Sequence, residues 1–250
     1  MKRFLFSVIL LSGWMLSATQ MGTYDPESKC WTVKGKSFSC TFFHGCMYPV
    51  WFRNPAGAEF PFFIFVDQME GEGKVYKIQE ERWAEFNIKE NSETRFVMEC
   101  TGNFCTGLPP YNTPCKDVSA VYRYTIENNS PVLLVEIHLI KKKAIPYNVK
   151  LMQLRWRFMP FKTFLSGSDS FELGKLLQKP GSVSRRRGML LSPVMNLAMD
   201  SDTVILRRET SENGFFYLCS SEGVQKWNAD SRELNWSCKI RFLPAGGNAK

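Results

Sequence analysis

Histidine is scarce in this sequence, since only His44 and His138 occur among its 250 residues. Zinc sites are built from clustered cysteine and histidine ligands, and no pair of cysteines is separated by two residues. The G-x-S-x-G, H-E-x-x-H, phosphate-loop and dinucleotide-binding motifs are missing as well. These absences leave no support for a metal centre, a nucleotide cofactor or a serine hydrolase, so we predict a protein without metal or cofactor.

Long apolar runs and internal repeats are also missing beyond the N-terminus. A bilayer span takes about 20 apolar residues, and no later segment comes close to that length. No sequence period typical of solenoids or propellers recurs. We therefore expect a mature protein that lies outside the membrane and is not a repeat array.

The N-terminus has the layout of a secretory signal peptide. Lys2 and Arg3 are followed by a mostly apolar run, Phe4–Leu16, and then by small and polar residues. The run is short for a membrane span, although an uncleaved anchor is the alternative. We predict that residues 1–18 are removed after Ala18 and that residues 19–250 form one secreted or periplasmic domain.

Eight cysteines follow this segment, and an even number in an exported chain predicts disulfide bonds. The sequence does not choose among the pairings. Cys219 and Cys238 both lie in candidate C-terminal strands, and we predict that they pair.

Short β-branched and aromatic runs, separated by Gly, Pro, Asn and Asp, recur along the chain and predict strands. The clearest unit is a hairpin of Val118–Glu127 and Val132–Ile140. The length of its turn sets Arg123 opposite Glu136. The alternation of polar and apolar side chains predicts that the apolar ones share a buried face. The number of predicted strands indicates an all-β fold, a large antiparallel β-sandwich.

A third long strand is predicted over Val149–Phe161. Alternation then places Gln153, Arg155 and Arg157 on one face of it, and apolar side chains on the other.

Three passages resemble the β-supersandwich of the galactose-mutarotase-like superfamily: Phe38–Gln68, Ser119–His138 and Val149–Phe161. The resemblance implies a supersandwich-like fold and a carbohydrate context, as in exported bacterial polysaccharide-processing proteins. Mutarotases use two histidines and a carboxylate, and neither His44 nor His138 matches their motif. The resemblance therefore does not imply mutarotase activity.

Polar side chains of the three long strands would converge if those strands are neighbours. Arginine matches carboxylate or sulfate groups, glutamine binds hydroxyls, and a histidine with a glutamate can exchange a proton. The candidate catalytic pair is His138 with Glu136. The candidate ligand-binding residues are Arg123, Gln153, Arg155, Arg157, Trp51 and Trp83. The alternative is a solvated outer face with ordinary cross-strand ion pairs, and tryptophans that pack in the core.

A net charge of +8 and two basic runs, Lys141–Lys143 and Arg185–Arg187, favour an acidic polysaccharide over a neutral one. Nucleic acid is a poor partner for an exported protein. The first hypothesis is thus an exported domain that binds or processes carbohydrate. The second is a lyase or epimerase acting through His138 and Glu136, and the third is a secreted structural or protein-binding domain.

Overall fold

The computed structural model describes residues 20–60, 64–78, 81–107, 111–156, 161–201, 203–208 and 216–245. The predicted signal segment and Arg157 lie outside the described residues. Apart from strands, the described chain contains one short helix, α1 (Leu173–Leu176), and a 3-10 turn at Ser221–Gly223. No helix in these ranges is both long enough and apolar enough to cross a bilayer.

Short strands make up most of the described chain, as the recurring β-branched and aromatic runs predict. In chain order they are β1 (Gly22–Asp25), β2 (Cys30–Lys34), β3 (Ser39–Phe43), β4 (Pro49–Arg53), β5 (Glu59–Phe60), β6 (Ile64–Phe65), β7 (Gln68–Gly71), β8 (Lys74–Lys77), β9 (Glu85–Asn91), β10 (Arg95–Gly102), β11 (Cys105–Thr106), β12 (Thr113–Pro114), β13 (Val118–Glu127), β14 (Val132–Lys141), β15 (Tyr147–Lys150), β16 (Gln153–Trp156), β17 (Thr163–Ser166), β18 (Asp169–Glu172), β19 (Val183–Arg186), β20 (Met189–Leu191), β21 (Met195–Met199), β22 (Val204–Arg208), β23 (Phe216–Ser220), β24 (Val224–Trp227) and β25 (Glu233–Pro244).

These strands form four antiparallel sheets. The largest has nine strands in the order β18-β17-β20-β21-β25-β14-β13-β10-β9. A six-stranded sheet has the order β12-β11-β8-β7-β15-β24, and two five-stranded sheets have the orders β1-β2-β3-β4-β5 and β19-β22-β23-β16-β6. In the nine-stranded sheet, β25 lies beside β14, so the last strand of the chain joins the predicted hairpin.

The hairpin of β13 and β14 has the predicted register. Arg123 faces Glu136 and Val121 faces His138 across the strand pair. Tyr122, on the opposite face, is fully buried, as are the other side chains predicted for that face, namely Tyr124, Leu133, Val135 and Ile137. Alternation and a tight turn therefore suffice to predict both the pairing and the buried face of these strands.

The core lies between the nine-stranded sheet and the three smaller sheets. The ring of Phe42 in β3 meets that of Tyr124 edge-on, with 5.1 Å between centroids. Phe65 of β6 approaches the same tyrosine at 6.4 Å. The Lys141 ammonium at the end of β14 lies 4.9 Å from the centroid of Trp227 in β24. Each smaller sheet thus contacts the inner face of the large one, which confirms the predicted antiparallel all-β sandwich.

The long strand predicted over Val149–Phe161 is interrupted. Met152 has a φ of 51°, a left-handed backbone conformation that a regular strand does not contain. The chain is fixed there because the Asp67 carboxylate accepts the backbone N–H of Gln153 at 2.9 Å. As a result β15 joins the six-stranded sheet while β16 joins a five-stranded one. The prediction of one continuous strand is wrong, because the interruption depends on a contact with a residue distant in sequence.

The predicted disulfides are absent, since all eight cysteines are free thiols in the structure. Cys219 and Cys238 lie in strands of different sheets. The Cys219 thiol donates to the carbonyls of Leu151 at 3.5 Å and Ser220 at 3.1 Å, whereas the Cys238 thiol donates to Lys239 at 3.8 Å. The two thiols are directed at separate carbonyls, so the Cys219–Cys238 prediction is corrected.

Burial favours the protonated form of several of these thiols. It raises the pKa of Cys238 to about 12 and the pKa of Cys219 further still. Since the thiolate is the reactive form, these two buried cysteines behave as small apolar core residues at neutral pH.

Candidate functional site

A surface pocket lies where β25 extends beyond the end of its neighbour β21. Strand β21 pairs only with residues 240–244 of β25, whereas β14 pairs with residues 233–241. On the side of β21, the pairing ends where the backbone N–H of Asp200 donates to the Lys239 carbonyl at 2.8 Å, so among the described strands residues 233–238 of β25 have a partner on one side only. The free edge opens the sheet surface on that side.

The pocket has a volume of about 640 Å³ and spans the middle of four adjacent strands. Polar side chains reach it from β10, β13, β14 and β25 because alternate residues of each strand lie on the same face. Glu222 enters from the 3-10 turn. The lining residues are Glu99, Val121, Arg123, Glu136, Ile137, His138, Glu222, Asn235, Trp236 and Ser237.

An ion pair and a contact between a histidine and a carboxylate order the pocket's polar groups. Arg123 lies with its Nε 3.9 Å from Glu136 Oε2, which is the cross-strand pair set by the hairpin register. His138 Nε2 lies 3.3 Å from Glu233 Oε2, so the imidazole is held by a carboxylate on the neighbouring strand. All four side chains are between one third and just over one half exposed, so solvent screens both pairs, each of which contributes about 0.2–1 kcal/mol.

The pocket is net negative when His138 is neutral. Three lining carboxylates, those of Glu99, Glu136 and Glu222, exceed the single lining guanidinium of Arg123. Lys89 of β9 offsets one of them, because its ammonium lies 3.0 Å from Glu99 Oε2. Carboxylates accept hydrogen bonds from hydroxyl groups, and Asn235 and Ser237 add neutral donors and acceptors. An arrangement of this kind suits a ligand rich in hydroxyls better than one that carries negative charge.

An aromatic wall completes the pocket. Trp236 is half buried and packs against the core, while part of its surface borders the pocket. A tryptophan fixed by core packing adds apolar surface to the pocket at little entropic cost, and apolar surface can pack against the C–H side of a sugar ring.

The structure brings together three of the predicted site residues. Arg123, Glu136 and His138 all line the pocket. Gln153 and Arg155 do not join them, because β16 belongs to a different sheet. The expected convergence of all three strands is therefore wrong.

Gln153 has an internal structural role. Its side chain is buried, and its amide donates to the carbonyls of Val66 at 3.4 Å and Lys150 at 3.3 Å. These bonds occupy the amide donors, so the side chain does not present them at the surface. Arg157, the third residue predicted on this strand, lies outside the described residues.

The two predicted aromatic platforms lie outside the pocket. Trp51 in β4 is 42% exposed and packs edge-on against Phe43 at 4.9 Å. Trp83 is 61% exposed. Both side chains are exposed to solvent, but neither contributes to the pocket lining.

The loop that carries Trp83 is held by a buried carboxylate. Glu81 is only 2% exposed and accepts backbone N–H groups from Arg82 at 2.9 Å, Trp83 at 2.8 Å and Asn103 at 2.6 Å. Charge-assisted hydrogen bonds of this kind are among the stronger ones in proteins. Glu81 therefore joins this loop to the end of β10.

Several pocket residues escape prediction from the sequence. Glu99, Asn235 and Ser237 lie on one face of the nine-stranded sheet, in strands that are themselves predictable, so face periodicity could have grouped them once the strand order was known. Trp236 lies between Asn235 and Ser237, so alternation assigns it to the opposite face and does not indicate it. Glu222 comes from a turn between two strands of other sheets, and no local pattern indicates it. The described residues contain no cluster of three or more His, Cys, Asp or Glu that could hold a metal ion.

Comparison with solved structures identifies the architecture. Galactose 1-epimerase from Lactobacillus acidophilus NCFM matches with a TM-score of 0.55 at 7% identity, over 92% of this chain and 100% of that protein. A galactose mutarotase related enzyme from Lactobacillus acidophilus matches with a TM-score of 0.51 at 9% identity, over 88% and 99%. The fold is that of galactose mutarotase-like proteins.

The same fold occurs as part of larger enzymes. An α-mannosidase from Enterococcus faecalis V583 matches with a TM-score of 0.55 at 10% identity, over 91% of this chain but only 30% of the enzyme. At sequence identities this low, the structural similarity establishes the fold but not the activity. No protein-family model matches the chain, and no curated protein matches it in sequence.

Proposed function

We propose that this chain is an exported carbohydrate-binding protein that holds a sugar in the pocket beside β25. The observation that carries the proposal is the pocket itself, in which Glu136, Asn235 and Ser237 supply hydrogen-bonding groups next to the ring of Trp236. The carbohydrate-processing neighbours of the mutarotase-like fold support the same ligand class. Export rests on the N-terminal sequence pattern.

The charge of the pocket favours neutral sugar rings over anionic ones. Its excess of carboxylates repels a uronic or sulfated ring and favours a neutral one. The acidic glycan favoured by the overall charge of +8 therefore needs a different contact surface for its anionic groups.

Fluorescence and calorimetric titration with neutral mono- and oligosaccharides test this proposal. Because Trp236 borders the pocket, ligand stacking changes its emission, and Trp236→Phe abolishes that change. Asn235→Ala weakens binding at least severalfold without loss of stability, since Asn235 is exposed. Glu127→Gln is the matched control, because this exposed residue ends β13 and does not line the pocket. Equal affinities of Asn235→Ala and the unmodified protein would contradict the proposal.

A second candidate function is sugar-ring chemistry at the same pocket. The observation favouring it is the His138–Glu233 pair at 3.3 Å, with Glu136 close by on the same strand face. A histidine held by a carboxylate can take and return a proton at a sugar carbon or hydroxyl.

Anomer interconversion and product formation, followed by NMR, separate this candidate from simple binding. His138→Ala abolishes turnover and leaves sugar affinity largely unchanged if the imidazole moves the proton. Turnover that persists in His138→Ala would remove this residue from any mechanism.

A further inference from the structure

A second, basic pocket lies at the end of the same two strands that carry the sugar pocket. The backbone N–H of Lys141 donates to the Arg232 carbonyl at 3.0 Å, which extends the pairing of β14 and β25 by one step. Beyond it the two chain segments enclose a volume of about 400 Å³. Its lining residues are Lys141, Lys142, Lys143, Ala144, Ala229, Asp230 and Arg232.

Two of the four cations here have structural roles. Lys141 is only 2% exposed, and its ammonium donates to the carbonyls of Ile145, at 2.9 Å, and Asn228. Burial lowers the pKa of Lys141, and the nearby Asp230 carboxylate partly offsets this effect. Lys143 pairs with Asp117 at 2.9 Å. These contacts hold the segment after β14 in place.

The other two cations are available to a ligand. Lys142 and Arg232 are exposed, and in the described part of the chain neither side chain makes a hydrogen bond or an ion pair. They flank the pocket from opposite segments. With Asp230 as the only lining carboxylate, the pocket is net positive, which is the opposite of the sugar pocket.

The two pockets lie a short distance apart along one strand pair. Lys142 follows His138 by four residues and Arg232 precedes Asn235 by three, which at about 3.3 Å per residue is roughly 10–13 Å. Glu233, the partner of His138, directly follows Arg232. A ligand of a few linked sugar rings could therefore contact both pockets at once.

We infer that the Lys142–Arg232 pocket is a second subsite, which takes the anionic substituent of a glycan whose neutral ring occupies the sugar pocket. The inference rests on the proposed function. The negative group of the ligand, a carboxylate or a sulfate, then lies at the Lys142–Arg232 pocket, beside the end of β14 and the start of β25. The neutral ring lies in the sugar pocket, at the middle of these strands. A guanidinium and an ammonium bind both kinds of anion, and the guanidinium does so in two-point contact.

Affinity measurements on matched oligosaccharides test the inference. A neutral oligosaccharide, its uronic analogue and its sulfated analogue are titrated at low and physiological salt. The anionic analogues bind about tenfold more tightly than the neutral one, and this gain declines with salt. Whichever analogue shows the larger gain identifies the anion.

The double variant Lys142→Ala/Arg232→Ala removes the gain and leaves the neutral affinity unchanged. Lys34→Ala/Lys36→Ala is the control, because it removes the same charge at the opposite end of β13. The backbone N–H of Lys36 donates there to the Asn128 carbonyl. Equal affinity of neutral and anionic analogues overturns the subsite while leaving the sugar pocket intact. Binding of the anionic analogues alone, unaffected by Asn235→Ala, overturns the proposed function instead, and the basic pocket remains an anion site.

Discussion

Asp67 is a fully buried carboxyl group between the layers of the sandwich, and its ionisation should make stability depend on pH. The Tyr122 hydroxyl donates to its Oδ2 at 2.7 Å and the Gln153 backbone N–H to its Oδ1 at 2.9 Å. Desolvation nevertheless dominates and raises the pKa of Asp67 from 3.8 to about 6, against the lowering effect of these hydrogen bonds.

The sign of the pH dependence follows from this shift. The folded state binds the Asp67 proton more tightly than the unfolded state does, so this group favours the folded state most at low pH. Its contribution is complete below about pH 4 and is lost as the pH rises to about 6. A difference of about two pKa units corresponds to about 3 kcal/mol in the free energy of unfolding.

Asp67→Asn tests this reasoning because it removes the titration and keeps the size of the side chain. The substitution also changes the free energy of unfolding by an amount that does not depend on pH, because it alters the hydrogen bonds at this position. We therefore expect the free energy of unfolding of the unmodified protein, minus that of Asp67→Asn, to fall by about 3 kcal/mol between pH 3 and pH 7. Urea unfolding followed by circular dichroism at each pH measures it.

Tyr122→Phe provides a second test that leaves the carboxyl group in place. It removes a hydrogen bond that lowers the pKa of Asp67, so the decline in stability should move to higher pH. A difference between the unmodified protein and Asp67→Asn that is independent of pH would refute the reasoning. A difference that grows with pH would show that the hydrogen bonds outweigh desolvation.

Three further predictions concern stability, and urea unfolding measures each of them. Gly45→Ala should destabilise by at least about 2 kcal/mol more than Gly57→Ala, because both have a φ of 84° but only at Gly45 would a Cβ lie 2.3 Å from the Arg82 carbonyl oxygen. Equal losses would show that the backbone conformation alone sets the cost. Glu81→Gln should destabilise by about 1–3 kcal/mol, since an amide cannot accept all three backbone N–H groups that the carboxylate accepts. Lys141→Met should cost about 1–3 kcal/mol, because the Ile145 carbonyl loses the ammonium donor and the Asn228 carbonyl keeps only the backbone N–H of Ser231, and an unchanged midpoint would contradict that role.

Much of the fold can be predicted from local sequence patterns. The hairpin of Val118–Glu127 and β14 has a strict alternation and a turn rich in Asn and Pro, so its register and its buried face follow from adjacent residues. The number of predicted strands indicates the antiparallel sandwich, and the resemblance to mutarotase-like proteins adds the supersandwich-like form, which local patterns alone do not determine.

The errors arise where distant residues decide the structure. The break at Met152 depends on Asp67, which is far away in sequence, and no local signal replaces that information. The placement of β25 beside β14 likewise determines which side chains join His138. The sequence therefore predicts the Arg123, Glu136 and His138 part of the pocket and misses the part contributed by Glu222 and the last strand.

The central claim is that the pocket beside β25 binds carbohydrate. Chemical-shift mapping of the isotopically labelled mature protein with neutral oligosaccharides tests it most directly. We expect saturable shifts concentrated at Glu136–His138 and Asn235–Ser237, with little change around Trp83. Saturable shifts concentrated elsewhere, or none at any sugar concentration in demonstrably folded protein, would contradict it.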